Sequence, residues 1–146
     1  MKPATVIIAT LPLLFAPKLT AQNYNEWKTY LACYEATGIA ESNERIYVLA
    51  SGSLYSYGKA DKEIRTYSKQ NGLSDTDISL IKYSPEYQML IIIYRNGNID
   101  LYDKDGIKNM PALKNATNIQ SKNVNNICFY NEYAYLSADF GIMVIN

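Results

Sequence analysis

Ile91-Ile92-Ile93-Tyr94-Arg95-Asn96-Gly97-Asn98-Ile99-Asp100-Leu101-Tyr102 reads as a strand, a glycine turn and a second strand. The same pattern stands at Ile46–Tyr57 around Gly52 and at Tyr135–Asn146 around Gly141. The three glycines are spaced by 45 and then 44 residues. Glycine and asparagine tolerate the positive φ that tight hairpins need, so each centre predicts a β-hairpin. A second recurrence precedes the later two hairpins, where Asp77–Tyr83 corresponds to Asn123–Phe129 at an offset of 46. These segments are the expected innermost strands of consecutive units. Glu63–Tyr67 alternates as an outer strand should, and Asn43-Glu44 is the expected turn before the first hairpin. Units of roughly 40–50 residues built from short strands are the signature of β-propeller blades, whereas solenoid repeats of that length read as helices. The expected fold is therefore all-β, with about 2.5 to 3 four-stranded antiparallel blades forming a partial propeller.

Two stretches refine this picture. Met89–Tyr94 is six apolar residues in a row, too continuous for a strand with one face in water, so both faces must be covered by neighbouring blades. Ile107–Gln120 contains Pro111 and several asparagines and reads as irregular coil. The third unit stops where its second hairpin strand finishes, short of a last strand, and the chain is expected to be an N-terminal fragment or a truncated product of a larger ring.

Residues 1–21 stand outside the repeat. Lys2 supplies a positive start, Thr5–Phe15 is apolar, and Lys18-Leu19-Thr20-Ala21 leads to an expected cleavage before Gln22. The apolar run is too short for a bilayer crossing and is interrupted by Pro12 and Pro17, so it predicts a secretory signal peptide, with a partial propeller domain over 22–146. Trp27 and Tyr30 lie where the chain enters the first blade and are expected to pack. Removing the leader takes away two lysines and no acids from 14 of each, leaving a slightly acidic chain. A basic nucleic-acid footprint is absent, no Lys/Arg cluster suits an anionic membrane, and no later run suits a transmembrane segment. Cys33 and Cys128 sit two repeats apart in an exported chain, and two buried thiols are favoured over a disulfide between them.

Chemistry is sparse. The chain has no histidine, which removes the commonest general base and zinc ligand, and no nucleophile elbow surrounds Ser51-Gly52-Ser53. Asp103-Lys104-Asp105-Gly106 opens like a calcium loop, but Ala112 stands where its glutamate belongs, so a plain Asp-Gly turn is expected. Asp75 and Asp77 beside Gly72 read as loop residues that bind their own backbone amides, together with Ser74. Fourteen tyrosines is a high count, and Tyr47, Tyr55, Tyr57, Tyr83, Tyr94, Tyr102 and Tyr135 fall in predicted strands. Packing between blades is their expected use, with a stacking surface for sugars as the alternative. No catalytic, cofactor-binding or metal residue is assigned, and an enzyme is not expected.

Asn71-Gly72-Leu73-Ser74-Asp75-Thr76-Asp77-Ile78-Ser79-Leu80-Ile81-Lys82-Tyr83 resembles propeller repeats of periplasmic proteins of Bacteroidota, including the sensor domains of hybrid two-component regulators. Those repeats continue into a strand with a tryptophan, which Met89–Tyr94 replaces here. Tyr94–Tyr102, Trp27-Lys28-Thr29-Tyr30 and Asp139-Phe140-Gly141-Ile142 more closely resemble the N-terminal propeller of the PorZ-like surface proteins of the type IX secretion system. That resemblance covers the mature chain and implies a non-catalytic, exported scaffold in the periplasm or at the outer-membrane surface. It implies a sortase as protein partner and a role in attaching anionic lipopolysaccharide to secreted cargo. In such proteins lipopolysaccharide contact belongs to a C-terminal domain, so none is expected within these residues. A ligand-sensing propeller of a hybrid regulator is the alternative reading, and a propeller lyase or glycosidase a distant third.

Overall fold

Strands account for nearly all regular structure in the computed structural model, which describes residues 35–146. These residues belong to one compact unit, Ala32–Asn146. The signal-peptide reading, Trp27, Tyr30 and Cys33 lie outside the described residues. The first sheet holds β1 (Ala36–Glu41), β2 (Arg45–Ala50), β3 (Ser53–Gly58) and β4 (Ile64–Tyr67) in chain order. The second holds β5 (Ile78–Ser84), β6 (Met89–Tyr94), β7 (Ile99–Asp103) and β8 (Gly106–Met110) in the same order. The third holds β9 (Val124–Tyr130), β10 (Tyr133–Ala138) and β11 (Gly141–Ile145). Every pairing is antiparallel, and the sheets meet chiefly through β1 against β5 and β5 against β9, as the first strands of successive blades should. The architecture is a partial β-propeller.

The alternation of β6 explains the packing. Leu90, Ile92 and Tyr94 face the first sheet, where they join Tyr47, Leu49, Leu54, Leu73, Ile78 and Ile81. Ile91 and Ile93 face the third, where they join Ile99, Leu113, Val124, Ile127, Leu136 and Ile145. Successive side chains of a strand point to opposite faces, so one uninterrupted apolar run feeds two cores at once. Each buried isoleucine or leucine contributes about 1.5–3 kcal/mol, which makes the middle sheet the mechanical centre of the described region.

The three glycines serve three different turns. Ser51 and Gly52 both have positive φ, 49° and 74°, and together close a two-residue hairpin of the mirror-image type that suits twisted strands. Gly97, at φ 82°, ends a three-residue turn in which Tyr94 accepts from the Gly97 amide at 2.9 Å and donates to Asn98 O at 3.0 Å. In the third sheet the turn is Asp139-Phe140, and Gly141, at φ 129°, is already the first residue of β11, paired with Ala138. A similar sequence signal thus sits at a shifted place in each loop.

Two expectations need correcting. Residues 107–115 are not irregular coil, since β8 completes the second sheet and a single helical turn, α1 (Ala112–Asn115), follows Pro111, while 116–120 are the irregular stretch expected. Pairing with β7 from Ile99–Met110 to Asp103–Gly106 supplies a ladder that the local composition does not advertise. Leu113 then drops into the second core. Cys128 is exposed on β9, not buried, because it lies on the face of the third sheet turned away from β6 with Tyr135 and Val144 beside it in register.

Candidate functional site

Between the first and second sheets, at the end carrying the β1–β2 and β7–β8 turns, lies a cleft of about 330 Å³. Its floor is aromatic. Alternation on β2 directs Tyr47 toward the second sheet, β5 and β7 contribute Tyr83 and Tyr102, and Tyr67 of β4 closes the group from behind. Tyr47 and Tyr83 are near-parallel, 6.4 Å apart between ring centres and 22° between planes. Tyr102 stands edge-on to Tyr47 at 6.4 Å and to Tyr67 at 5.7 Å. Burial, reinforced by the neighbouring phenols, pushes the Tyr47 hydroxyl well above the ordinary tyrosine range, and burial likewise raises Tyr102. These hydroxyls therefore act as neutral hydrogen-bonding groups at any physiological pH.

The rim is polar and mixed in charge: Asn43, Glu44, Arg65, Gln88, Asp103 and Lys104. Arg45 enters from below and is largely spoken for. Its Nε donates to Ser56 Oγ at 2.8 Å, its Nη2 donates to the Glu63 carbonyl at 3.0 Å, and Asp61 and Glu63 lie within 4 Å of Nη1. Arg65 is held by Glu63 at 2.7 Å. Of the tyrosines placed in strands by sequence, Tyr47, Tyr83 and Tyr102 are thus brought together. Tyr94 is buried elsewhere, Tyr57 lies under Lys62, and Tyr135 packs with Tyr133 on the third sheet.

The acidic motifs do not converge. Asp103 accepts from the Asp105 amide at 2.8 Å, the Asx geometry of the expected plain turn. Asp77 pairs with Arg95 at 3.1 Å. Asp75 does bind a loop amide, that of Thr76 at 3.0 Å, but its stronger partners lie beyond its own loop: Lys114 Nζ at 2.7 Å and Asn96 Nδ2 at 2.6 Å. These hydrogen bonds hold its carboxyl well below the usual range. Among the described residues no group of three His, Cys, Asp or Glu side chains could hold a metal ion.

Sequence reasoning missed Asp100, which is fully buried in β7. Its Oδ2 accepts from Tyr94 Oη at 2.6 Å and from the Ser74 amide at 2.9 Å, and its Oδ1 accepts from Asn109 Nδ2 at 2.8 Å. The constellation ties the loop before the second sheet to β6, β7 and β8. Burial and the adjacent carboxylate both raise the Tyr94 hydroxyl, so it stays a donor. The available signal was an aspartate between Ile99 and Leu101, where the alternating pattern buries side chains on both faces.

Over residues 46–146 the chain matches the family described as the TSS9, PorZ, N-terminal beta-propeller domain. Among solved structures it is similar to PorZ of Porphyromonas gingivalis, described as an essential bacterial surface component of the type IX secretion system, at 36% identity with a TM-score of 0.75. That match covers 79% of this chain and 16% of the PorZ chain, so the residues here span a small part of that protein's length. No curated protein matches. With the family matched across more than two thirds of its residues and the sheets superposing on a solved relative, the chain belongs to the PorZ N-terminal β-propeller family.

Proposed function

We propose that this chain is the opening part of an exported, non-catalytic scaffold of a type IX secretion system, working with a surface sortase in attaching anionic lipopolysaccharide to secreted cargo. The observation that carries this reading is the 36% identity to PorZ together with a TM-score of 0.75. Residues 1–21 serve as the signal peptide, and 22–146 form the propeller part that is presented beyond the inner membrane. What the described residues contribute is packing surface: three sheets, two apolar cores between them, and polar loops at either end. Contact with lipopolysaccharide belongs outside these residues.

The test is deletion of codons 46–146 in frame from the chromosomal gene. The expected result is loss of cargo from the cell surface and loss of the protein from sortase pull-downs. Unchanged cargo secretion with altered transcription of a neighbouring operon would overturn this reading in favour of a ligand-sensing propeller.

A further inference from the structure

We propose that the tyrosine-lined cleft between the first two sheets is a docking groove for a proline-rich segment of a partner protein that carries a basic residue beside its prolines. Extended polyproline II segments are recognised by grooves with aromatic floors and flanking hydrogen-bond donors, because the segment is already ordered and its carbonyls point outward unpaired. The cleft supplies those parts. Tyr83 and Tyr102, half-buried, present the accessible part of the floor over the buried Tyr47, and Asn43 and Gln88 stand on the β1–β2 and β5–β6 turns with side-chain amides at the rim. At about 330 Å³ it lies at the small end of pockets, room for a few extended residues and no more.

Charge selects the partner. Each base at the cleft already has an acid: Arg45 has Asp61 and Glu63, Arg65 has Glu63, and Lys104 has Asp105 at 3.3 Å. The lining acids are not so engaged, since among the described residues neither Glu44 nor Asp103 forms an ion pair. The charge left to recognise a guest is therefore negative, which suits arginine or lysine on the peptide and gives no grip on an anionic guest. The groove is separate from the loops at the opposite end of the sheets, where Asp75 and Asp77 sit.

The test is fluorescence anisotropy with the full chain and a labelled peptide Arg-Ala-Leu-Pro-Pro-Leu-Pro. Controls replace the prolines by alanine or the arginine by glutamate. Saturable binding with Kd of about 10–500 μM is expected, lost for the alanine peptide and weakened about tenfold for the glutamate peptide. Tyr83→Ala should weaken binding about tenfold and Glu44→Gln about threefold, the latter with a flatter salt dependence. Tyr135→Ala, on the third sheet, should leave binding unchanged. Should Tyr83→Ala disturb folding, Glu44→Gln on its exposed turn and the two control peptides still decide. No saturation by about 1 mM, equal binding of the proline-free peptide, or binding of maltose in place of the peptide would each overturn the proposal.

Discussion

Replacing Asp100 probes the least expected group in the core. The carboxylate is fully buried and its three donors are all neutral, so its stability contribution is set by hydrogen bonding and not by an ion pair. Asp100→Ala strands the Tyr94 hydroxyl, itself fully buried, and releases the Ser74 amide; at about 1–3 kcal/mol for each unsatisfied group, the loss is about 2–6 kcal/mol. Asp100→Asn keeps an oxygen for Tyr94 and Ser74 at neutral strength but turns an amide donor toward Asn109, for a loss of about 2–3 kcal/mol. Tyr94→Phe removes one charge-assisted bond and leaves the carboxylate two donors, about 1.5–3 kcal/mol. Against a typical total of about 5–15 kcal/mol these are large fractions. Urea denaturation followed by circular dichroism measures them, and the Tyr94→Phe, Asp100→Asn cycle should show coupling of about 1 kcal/mol or more. An Asp100→Asn protein within about 0.5 kcal/mol of the parent, or a cycle with no coupling, would refute the reasoning.

Ile92→Ala and Ile93→Ala should each cost about 2–5 kcal/mol by the same denaturation assay, because they fill separate cores; a near-silent result at either would mean that one face of β6 is open. Gly97→Ala should cost about 2–4 kcal/mol, since φ of 82° alone costs about 1–2 and the added Cβ meets Lys122 Cβ at 2.8 Å and Leu113 Cγ at 3.2 Å. Lys114 and Asn96 depress the Asp75 carboxyl, so its contribution is fully present above the ordinary carboxylate range near 3.9 and is lost as pH falls toward the lower folded value. A stability profile from pH 6 to 2 should accordingly be shallower in Asp75→Asn, and an identical acid limb in both proteins would count against that role.

The hairpin spacing made the blades readable, because glycine and asparagine punctuate chains by backbone sterics that need no knowledge of the rest of the fold. The apolar run at Met89–Tyr94 was equally informative, since no one-sided sheet accommodates it. What stayed hidden depends on partners distant in sequence. β8 has weak local propensity and exists because β7 offers it a ladder. The tyrosine cleft joins residues from 47 to 102, and only the superposition of two sheets tells Tyr83 and Tyr102 apart from Tyr55 or Tyr135. Asp100 looked like an ordinary strand residue because its donors come from a loop, a preceding strand and a following one.

The buried polar residues follow a logic that apolar burial cannot supply. The outermost strands are held only in part by hydrophobic contact: Tyr67 of β4 and Ile107 and Met110 of β8 pack against the cores, whereas Ile64, Arg65, Thr66, Lys108 and Asn109 are exposed. Sliding such a strand by two residues keeps every side chain on its own face, so alternation alone fixes its register weakly. In both sheets the third strand carries a fully buried polar side chain facing that outer strand. Ser56 of β3 lies 3.0 Å from the Tyr67 hydroxyl of β4, and Asp100 of β7 accepts from Asn109 of β8. A slip would cost Ser56 its bond to Tyr67 and Asp100 its bond from Asn109, at about 0.5–1.5 kcal/mol each, while Arg45 still donates to Ser56 and Tyr94 and Ser74 still donate to Asp100. Polar burial on the third strand thus acts with the core contacts of Tyr67, Ile107 and Met110 to select one pairing for the fourth.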